Sequence, residues 1–176
     1  MYRLAEVMRA FACVIVIGIP LGIRSATSAL AQQPVPQVYR MVIKTDPAFG
    51  PKCFDVPFAS QAAGVRVQIW DCNDGKAQVF TYDEGSKRLK FGNLCVVSWG
   101  HGINADPVGI DLCDFEPNQR KQSWDVVADG DTYKIVGANG LCLDIHGGFK
   151  EKGNSLNIWS CNGTVSQKFV LFEAHQ

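Results

Sequence analysis

Short apolar segments recur along the chain after residue 37, and turn-forming residues separate them. Residues 37–44, 65–70 and 132–136 are rich in apolar and β-branched side chains, a composition typical of β-strands. Clusters of Gly, Asn and Asp lie between such segments, as at residues 73–75, and these clusters favour turns. This part of the sequence has no amphipathic stretch of ten or more residues that would predict a helix. The pattern therefore predicts an all-β protein.

Six of the seven cysteines divide the chain into units of similar length. Within three successive pairs the cysteines are 19, 18 and 19 residues apart, and the first members of the pairs are 42 and 47 residues apart. These cysteines are Cys53 and Cys72, Cys95 and Cys113, and Cys142 and Cys161. Six cysteines permit many pairings, and spacing alone does not choose among them. A period of about 45 residues indicates an internal repeat.

The residues around the cysteines repeat as well. The first unit reads K-C-F-D-V, then V-Q-I-W-D-C-N and Q-V-F, and the third reads L-C-L-D-I, then L-N-I-W-S-C-N and Q-K-F. The middle unit is weaker and reads L-C-V-V, V-G-I-D-L-C-D and Q-S-W. We expect the closing aromatic residues Phe80, Trp124 and Phe169 to share one core. The glutamines before them are expected to be half-buried and hydrogen-bonded, because an unpaired buried amide is costly. They are Gln78, Gln122 and Gln167.

Three repeats of about 45 residues limit the architectures that can close. A β-propeller needs at least about four blades, whereas three units fit a β-trefoil, a six-stranded barrel capped by three hairpins. Closing the barrel removes the exposed sheet edges that promote aggregation. The predicted domain covers residues 37–176, with repeats at about 37–84, 85–128 and 129–174.

The N-terminus has the three parts of a secretory signal peptide. Two arginines lie in the first nine residues, an apolar run follows at 10–23, and the segment ends in Ala-Leu-Ala at 29–31. Such a segment is cleaved from the mature protein. We predict a signal peptide at 1–31, which removes Cys13, and a Pro-containing linker at 32–36. The mature chain is then secreted, extracellular or periplasmic, and has no segment for membrane insertion.

Composition narrows the possible functions. The chain has 17 basic and 17 acidic residues, and the mature part has 14 and 16, a net charge of −2. This balance argues against a nucleic-acid partner. None of the three histidines lies in a zinc-binding spacing, and the sequence has no phosphate loop or nucleophile elbow. We therefore expect no metal, no cofactor and no enzymatic activity.

The repeated C-x-D, Q-x-W-x-C-N and Q-x-W/F pattern resembles the ricin B-type lectin family over about residues 37–174. Members of this family are β-trefoils that occur as toxin subunits and as carbohydrate-binding modules. The resemblance implies one disulfide in each repeat. These disulfides are Cys53–Cys72, Cys95–Cys113 and Cys142–Cys161.

The resemblance also implies sugar-binding residues in two repeats. A carboxylate accepts hydrogen bonds from sugar hydroxyl groups, an amide adds a donor and an acceptor, and an aromatic ring stacks on the apolar face of the sugar. In repeat 1 these residues are Asp55, Gln68, Trp70 and Gln78. In repeat 3 they are Asp144, Asn157, Trp159 and Gln167. Both repeats depart from the family pattern, because Ala77 and Ser166 stand where the family usually has Asn.

The second repeat lacks the residues that the family uses. Val97 stands in place of the Asp, Gly109 in place of the Gln and Asp111 in place of the Trp, so we expect repeat 2 to bind no sugar. The neighbouring Trp99 is expected to lie in a surface loop, and His146 in a surface turn of repeat 3.

These observations predict a secreted lectin that binds galactose-type or xylan-type sugars through shallow pockets in repeats 1 and 3. Its partners are then glycans or glycoconjugates. The alternative is a protein-interaction module, such as the cell-binding subunit of a toxin or a trefoil protease inhibitor. In that case the partner is a protein, for example a toxin or an enzyme subunit.

Overall fold

The computed structural model of the chain describes residues 38–114 and 121–174, which form thirteen antiparallel strands. The strands are β1 Val38–Thr45, β2 Lys52–Asp55, β3 Val65–Arg66, β4 Gln68–Asp71, β5 Phe80–Asp83, β6 Arg88–Phe91, β7 Leu94–Ser98, β8 Val108–Asp111, β9 Asp125–Asp129, β10 Thr132–Val136, β11 Cys142–Ile145, β12 Leu156–Trp159 and β13 Phe169–Glu173. Short 3₁₀ turns lie at Pro57–Ala59, Lys76–Gln78, Ala138–Gly140, His146–Gly148 and Val165–Gln167. The predicted signal peptide and linker lie outside the described residues.

Six strands close into a barrel. β1 pairs with β5 and β13, β5 pairs with β6, and β10 pairs with β9 and β13. The ring is completed between β6 and the segment before β9, where Arg88 and Ser123 form a single antiparallel bridge. Each repeat contributes two of these strands, as the period of the sequence predicts.

Three hairpins cap one end of the barrel, one from each repeat. They are β2–β4, β7–β8 and β11–β12. Each hairpin touches the next, through the β3–β8 pair, a bridge from Pro107 to Asn157 and a bridge from Gln68 to Ser155. The three contacts close a triangle around the barrel axis, and the fold is a β-trefoil.

One predicted strand is interrupted at this triangle. Residues 65–70 form two strands instead of one, and Val67 separates them. The N–H of Val67 donates to the carbonyl of Val108 at 3.1 Å, and its carbonyl accepts from Leu156 at 3.0 Å. Val67 thus bonds to both neighbouring hairpins, which prevents it from continuing the pairing of its own hairpin. By contrast, residues 132–136 form a strand as predicted, and the first strand ends at Thr45, one residue beyond its predicted end.

The closing aromatic residues of the repeats are fully buried, as predicted. Phe80, Trp124 and Phe169 belong to a single hydrophobic core. The ring of Phe54 lies between two of them, at centroid distances of 6.4 Å from Phe80 and 4.9 Å from Phe169. The indole N–H of Trp124 donates to the carbonyl of Val96 at 2.9 Å, so the most deeply buried polar atom of this cluster is paired.

The expectation that the glutamines before these aromatics are half-buried is wrong. Gln78, Gln122 and Gln167 are 0%, 2% and 2% exposed. Each can be buried because both the oxygen and the nitrogen of its amide form hydrogen bonds with groups of its own repeat, which reduces the penalty for burying a polar group.

Three disulfides hold the repeats, one in each, in the pairing that the family resemblance implies. Their Cα–Cα distances are 5.0, 5.1 and 5.0 Å. Each closes a loop of 18 or 19 residues, which stabilises the fold by about 3 kcal/mol in the loop-entropy model. Among the described residues, the helical segments are short 3₁₀ turns, and none is long and apolar enough to cross a membrane.

Candidate functional site

The first candidate site is a shallow depression of about 490 Å³ in repeat 1, here called the repeat-1 cleft. Asp55, the last residue of β2, lies opposite Gln68 of β4 in the strand register. Side chains alternate along β4, so Ile69 enters the core while Gln68 and Trp70 are half-buried on the outer face. All three predicted residues, Asp55, Gln68 and Trp70, line the cleft.

Two amides hold the Asp55 carboxylate. Gln68 Nε2 donates to its Oδ1 at 2.9 Å, and Gln78 Nε2 donates to its Oδ2 at 3.1 Å. The Gln78 amide also donates to the carbonyl of Asp71 at 3.0 Å and accepts from the N–H of Asn73 at 3.0 Å. Gln78 therefore lies behind the carboxylate and outside the cleft lining, where it orients Asp55.

The second candidate site is a depression of about 510 Å³ in repeat 3, here called the repeat-3 cleft. Asp144 of β11 lies opposite Asn157 of β12, the same register as in repeat 1. Gln167 Nε2 donates to Asp144 Oδ2 at 2.7 Å, and Ser166 Oγ donates to the same oxygen at 3.3 Å. Gln167 also bonds to the backbone of Ser160 and Asn162. As in repeat 1, a buried glutamine orients the carboxylate from behind.

Asn157 differs from its repeat-1 counterpart in what its side chain contacts. Its Oδ1 is buried and has no hydrogen-bond partner among the described residues, although Asn157 lines the cleft. An unpaired buried acceptor is costly, so this oxygen is a candidate to accept a hydrogen bond from a ligand. Trp159, 40% exposed, lies on the same lining.

Burial affects the charge of the repeat-3 carboxylate. Desolvation raises the pKa of Asp144 above the ordinary aspartate value, although the hydrogen bonds from Gln167 and Ser166 and the nearby His146 act in the opposite direction. The carboxylate form of Asp144 is therefore favoured less than in water.

Sequence reasoning missed several residues that line the clefts. Phe49 and Lys150 extend the repeat-3 cleft, and the Lys150 ammonium lies 5.5 Å from the Phe49 ring centroid. Phe58 and Lys76 line the repeat-1 cleft. None belongs to a repeated motif, and Phe49 comes from a different repeat than the cleft it lines, so the repeat pattern carried no signal for them. His146 lies in an exposed turn, as expected, and also lines the repeat-3 cleft.

The corresponding place in repeat 2 is mostly filled. A depression of about 180 Å³ remains there. Trp99 lies in the loop after β7, as expected, and is half-buried there. Its ring covers Gly109 so closely that a Cβ on this glycine would lie 2.0 Å from the Trp99 ring. The indole N–H donates to Asp111 Oδ2 at 3.1 Å, and Val97 supplies no carboxylate.

Within 38–114 and 121–174, no three His, Cys, Asp or Glu side chains are arranged to hold a metal ion. The clefts instead combine a fixed carboxylate, amide groups and a tryptophan. This combination can accept hydrogen bonds from hydroxyl groups and stack on an apolar ring face.

Solved structures with a similar fold include a designed three-fold symmetric protein and lectins. The designed three-fold symmetric protein ThreeFoil is 21% identical, with a TM-score of 0.67 over 77% of this chain and 98% of that one. The C-half of an earthworm R-type lectin, solved in complex with GalNAc, is 22% identical, with a TM-score of 0.60 over 78% and 99%. The agglutinin from Abrus precatorius is 19% identical, with a TM-score of 0.64 over 78% and 49%.

At these identities the solved structures support the fold alone. A comparison with curated protein sequences found no match. The model of the family described as ricin-type β-trefoil lectin domain, however, matches residues 42–169. This match covers more than half of the chain and includes all three disulfides, and the chain therefore belongs to the ricin-type β-trefoil lectin family.

Proposed function

We propose that this protein is a secreted carbohydrate-binding lectin that binds galactose-type or xylan-type sugars in the repeat-1 and repeat-3 clefts. One observation carries the proposal. In these two repeats a buried carboxylate lies at a cleft that a tryptophan lines, and a fully paired glutamine fixes its orientation. Ricin-type lectin domains are generally non-enzymatic, and we propose no enzymatic activity for this chain.

The proposed contacts follow from the chemistry of the lining. Each carboxylate oxygen has two lone pairs, so Asp55 can accept from sugar hydroxyls while Gln68 and Gln78 donate to it. In the repeat-3 cleft, Asp144 and the unpaired Oδ1 of Asn157 would accept from neighbouring hydroxyls. Trp70 and Trp159 would stack on the C–H face of the sugar ring. Single shallow sites of this kind are expected to be weak, with dissociation constants of about 10 μM to 1 mM.

Repeat 2 is proposed to bind no sugar in this way. Trp99 occupies the space over Gly109, and the side chain of Val97 cannot accept a hydrogen bond from a sugar hydroxyl. Its contribution is to complete the barrel and the triangle of hairpins.

Secretion is part of the proposal. Structural disulfides persist mainly in oxidising compartments, and three of them are present here. The N-terminal segment with the character of a signal peptide supports the same location. Mass spectrometry of the exported protein tests this, because the proposal requires an N-terminus at about residue 32.

The function is tested by calorimetric titration with galactose and xylose and by a glycan array. We expect two sugars per wild-type chain, one per chain for Asp55→Ala or Asp144→Ala, and none for the double variant. The matched control is Asp111→Ala in repeat 2, which should leave both stoichiometry and affinity unchanged. Sugar binding by the double variant would contradict the proposal, and protein binding without any glycan binding would favour the interaction-module alternative.

A further inference from the structure

Phe58 lies on the lining of the repeat-1 cleft, in company with Asp55 and Trp70. Its side chain is 103% exposed, so it contributes nothing to the hydrophobic core. Exposing a whole aromatic ring to water is unfavourable. Its place in the cleft lining is therefore better explained by something that the ring binds than by folding.

The backbone at Phe58 is strained. Phe58 has φ 58° and ψ 20°, and the next residue, Ala59, has φ 50°. This left-handed region is disfavoured for residues with a Cβ. Five residues after the first cysteine of their repeats, where Phe58 stands in repeat 1, the other two repeats have Gly100 and Gly147, both with positive φ. The φ of Gly147, 62°, is close to that of Phe58, so repeat 1 has a bulky aromatic residue where the equivalent 3₁₀ turn of repeat 3 has glycine. Such strain is typical of functional positions.

The turn that carries Phe58 is held in place. The N–H of Ala59 donates to the carbonyl of Val56 at 2.9 Å, and the N–H of Ser60 donates to the carbonyl of Pro57 at 3.1 Å. Pro57 restricts its own φ. The N–H of Val56 also donates to the carbonyl of Ala77 at 2.9 Å, which connects the turn to another residue of the cleft lining. The backbone of this turn therefore loses little conformational entropy on binding.

We infer that Phe58 is the aromatic platform of a second sugar subsite, which makes the repeat-1 cleft a site for oligosaccharides rather than single sugars. This inference rests on the proposed function of the cleft. The first sugar residue is held by Asp55 and Trp70, and the adjacent residue of the glycan stacks its apolar face on Phe58. The phenyl ring has no polar atom and a negative face, so it favours a neutral pyranose face over an anionic group.

The test uses the full chain with Asp144→Ala, so that only the repeat-1 cleft is left to bind. Galactose, galactotriose, xylose and xylotriose are titrated into this protein and into its Phe58→Ala and Phe58→Gly derivatives. We expect both changes to weaken binding of the preferred trisaccharide about tenfold, since an aromatic stacking contact is lost. Binding of the corresponding monosaccharide should change by less than about twofold. Phe149→Ala, which removes a different exposed phenylalanine, is the matched control and should change neither.

The two substitutions at Phe58 also separate binding from stability. Glycine relieves the left-handed strain, so Phe58→Gly should raise the Tm by about 3 °C relative to Phe58→Ala, while both lose the same trisaccharide affinity. Unchanged trisaccharide affinity, or equal loss for monosaccharide and trisaccharide, would overturn the second subsite and leave the proposed function intact. If the Asp144→Ala chain binds no sugar at all, the repeat-1 site itself fails and the inference fails with it.

Discussion

Repeats 2 and 3 share a backbone and differ in what their clefts contain. In both, a buried glutamine pairs its amide with the loop at the second cysteine: Gln122 with Asp114 and Leu112, and Gln167 with Asn162 and Ser160. Of the two, and among the described residues, only Gln167 also donates to a carboxylate. The comparison shows that the Gln-x-aromatic motif serves the fold first, and that the site is added when an Asp stands in front of the glutamine.

The largest effect should come from removing the glutamine where no carboxylate is present. Gln122→Ala leaves the N–H of Asp114 and the carbonyl of Leu112 without their partner and opens a small cavity. We expect the free energy of unfolding to fall by about 2–3 kcal/mol, measured by urea denaturation, with sugar binding retained. Gln78→Ala should lower stability by a similar amount and also weaken binding in repeat 1. A Gln122→Ala protein as stable as wild type would show that the motif has no role in the fold.

The next largest effects are expected from two tryptophan substitutions, one of which should lower stability and the other sugar affinity. Trp99→Ala removes a packed ring and its hydrogen bond to Asp111 in repeat 2, so stability should fall by about 1–2 kcal/mol while sugar binding is unchanged. Trp159→Ala in repeat 3 should do the reverse, weakening binding about tenfold with little change in Tm. Calorimetry and thermal unfolding of both variants measure this, and sugar binding lost in Trp99→Ala would mean that repeat 2 takes part in recognition.

The smallest predicted effect is on pH dependence. The pKa of Asp144 is raised by burial, so on acidification this carboxylate is protonated at a higher pH than an ordinary aspartate. Once protonated, it accepts fewer hydrogen bonds from sugar hydroxyl groups. In the Asp55→Ala background, sugar affinity should therefore begin to fall at a pH above the ordinary aspartate range. His146 and Lys150 are ionisable side chains that line the same cleft.

Because of the same group, the free energy of unfolding should change with pH in the opposite direction to sugar affinity. A carboxyl group with a raised pKa in the folded state stabilises the fold when protonated, and this contribution is lost as pH rises through that pKa. Asp144→Asn keeps an oxygen to accept from Gln167, abolishes this titration and is the matched control. If the pH profile of unfolding is the same in Asp144→Asn as in its parent, Asp144 is not the titrating group.

The sequence predicted most of the fold because its signals are local and repeated. The cysteine period and the closing aromatics indicated three units, and the structure confirms the trefoil and the disulfides. The degree of burial of Gln78 and its equivalents was underestimated, since hydrogen bonds to the loop at the second cysteine depend on a conformation that spacing does not encode. The interruption at Val67 arises from contacts with two other repeats, which no single repeat contains.

The features of the candidate sites can also be divided into those that the sequence predicts and those that only the structure shows. The sequence by itself determined which repeats have the carboxylate, the amide and the tryptophan, because these residues belong to a motif. Only the tertiary structure decided that Trp99 lies over Gly109, that Phe49 reaches the cleft of another repeat and that Phe58 stands exposed on a strained turn. Such contacts join residues that are distant in sequence or depend on backbone angles, so the three-dimensional packing of the repeats, and not their order along the chain, sets the shape of each cleft.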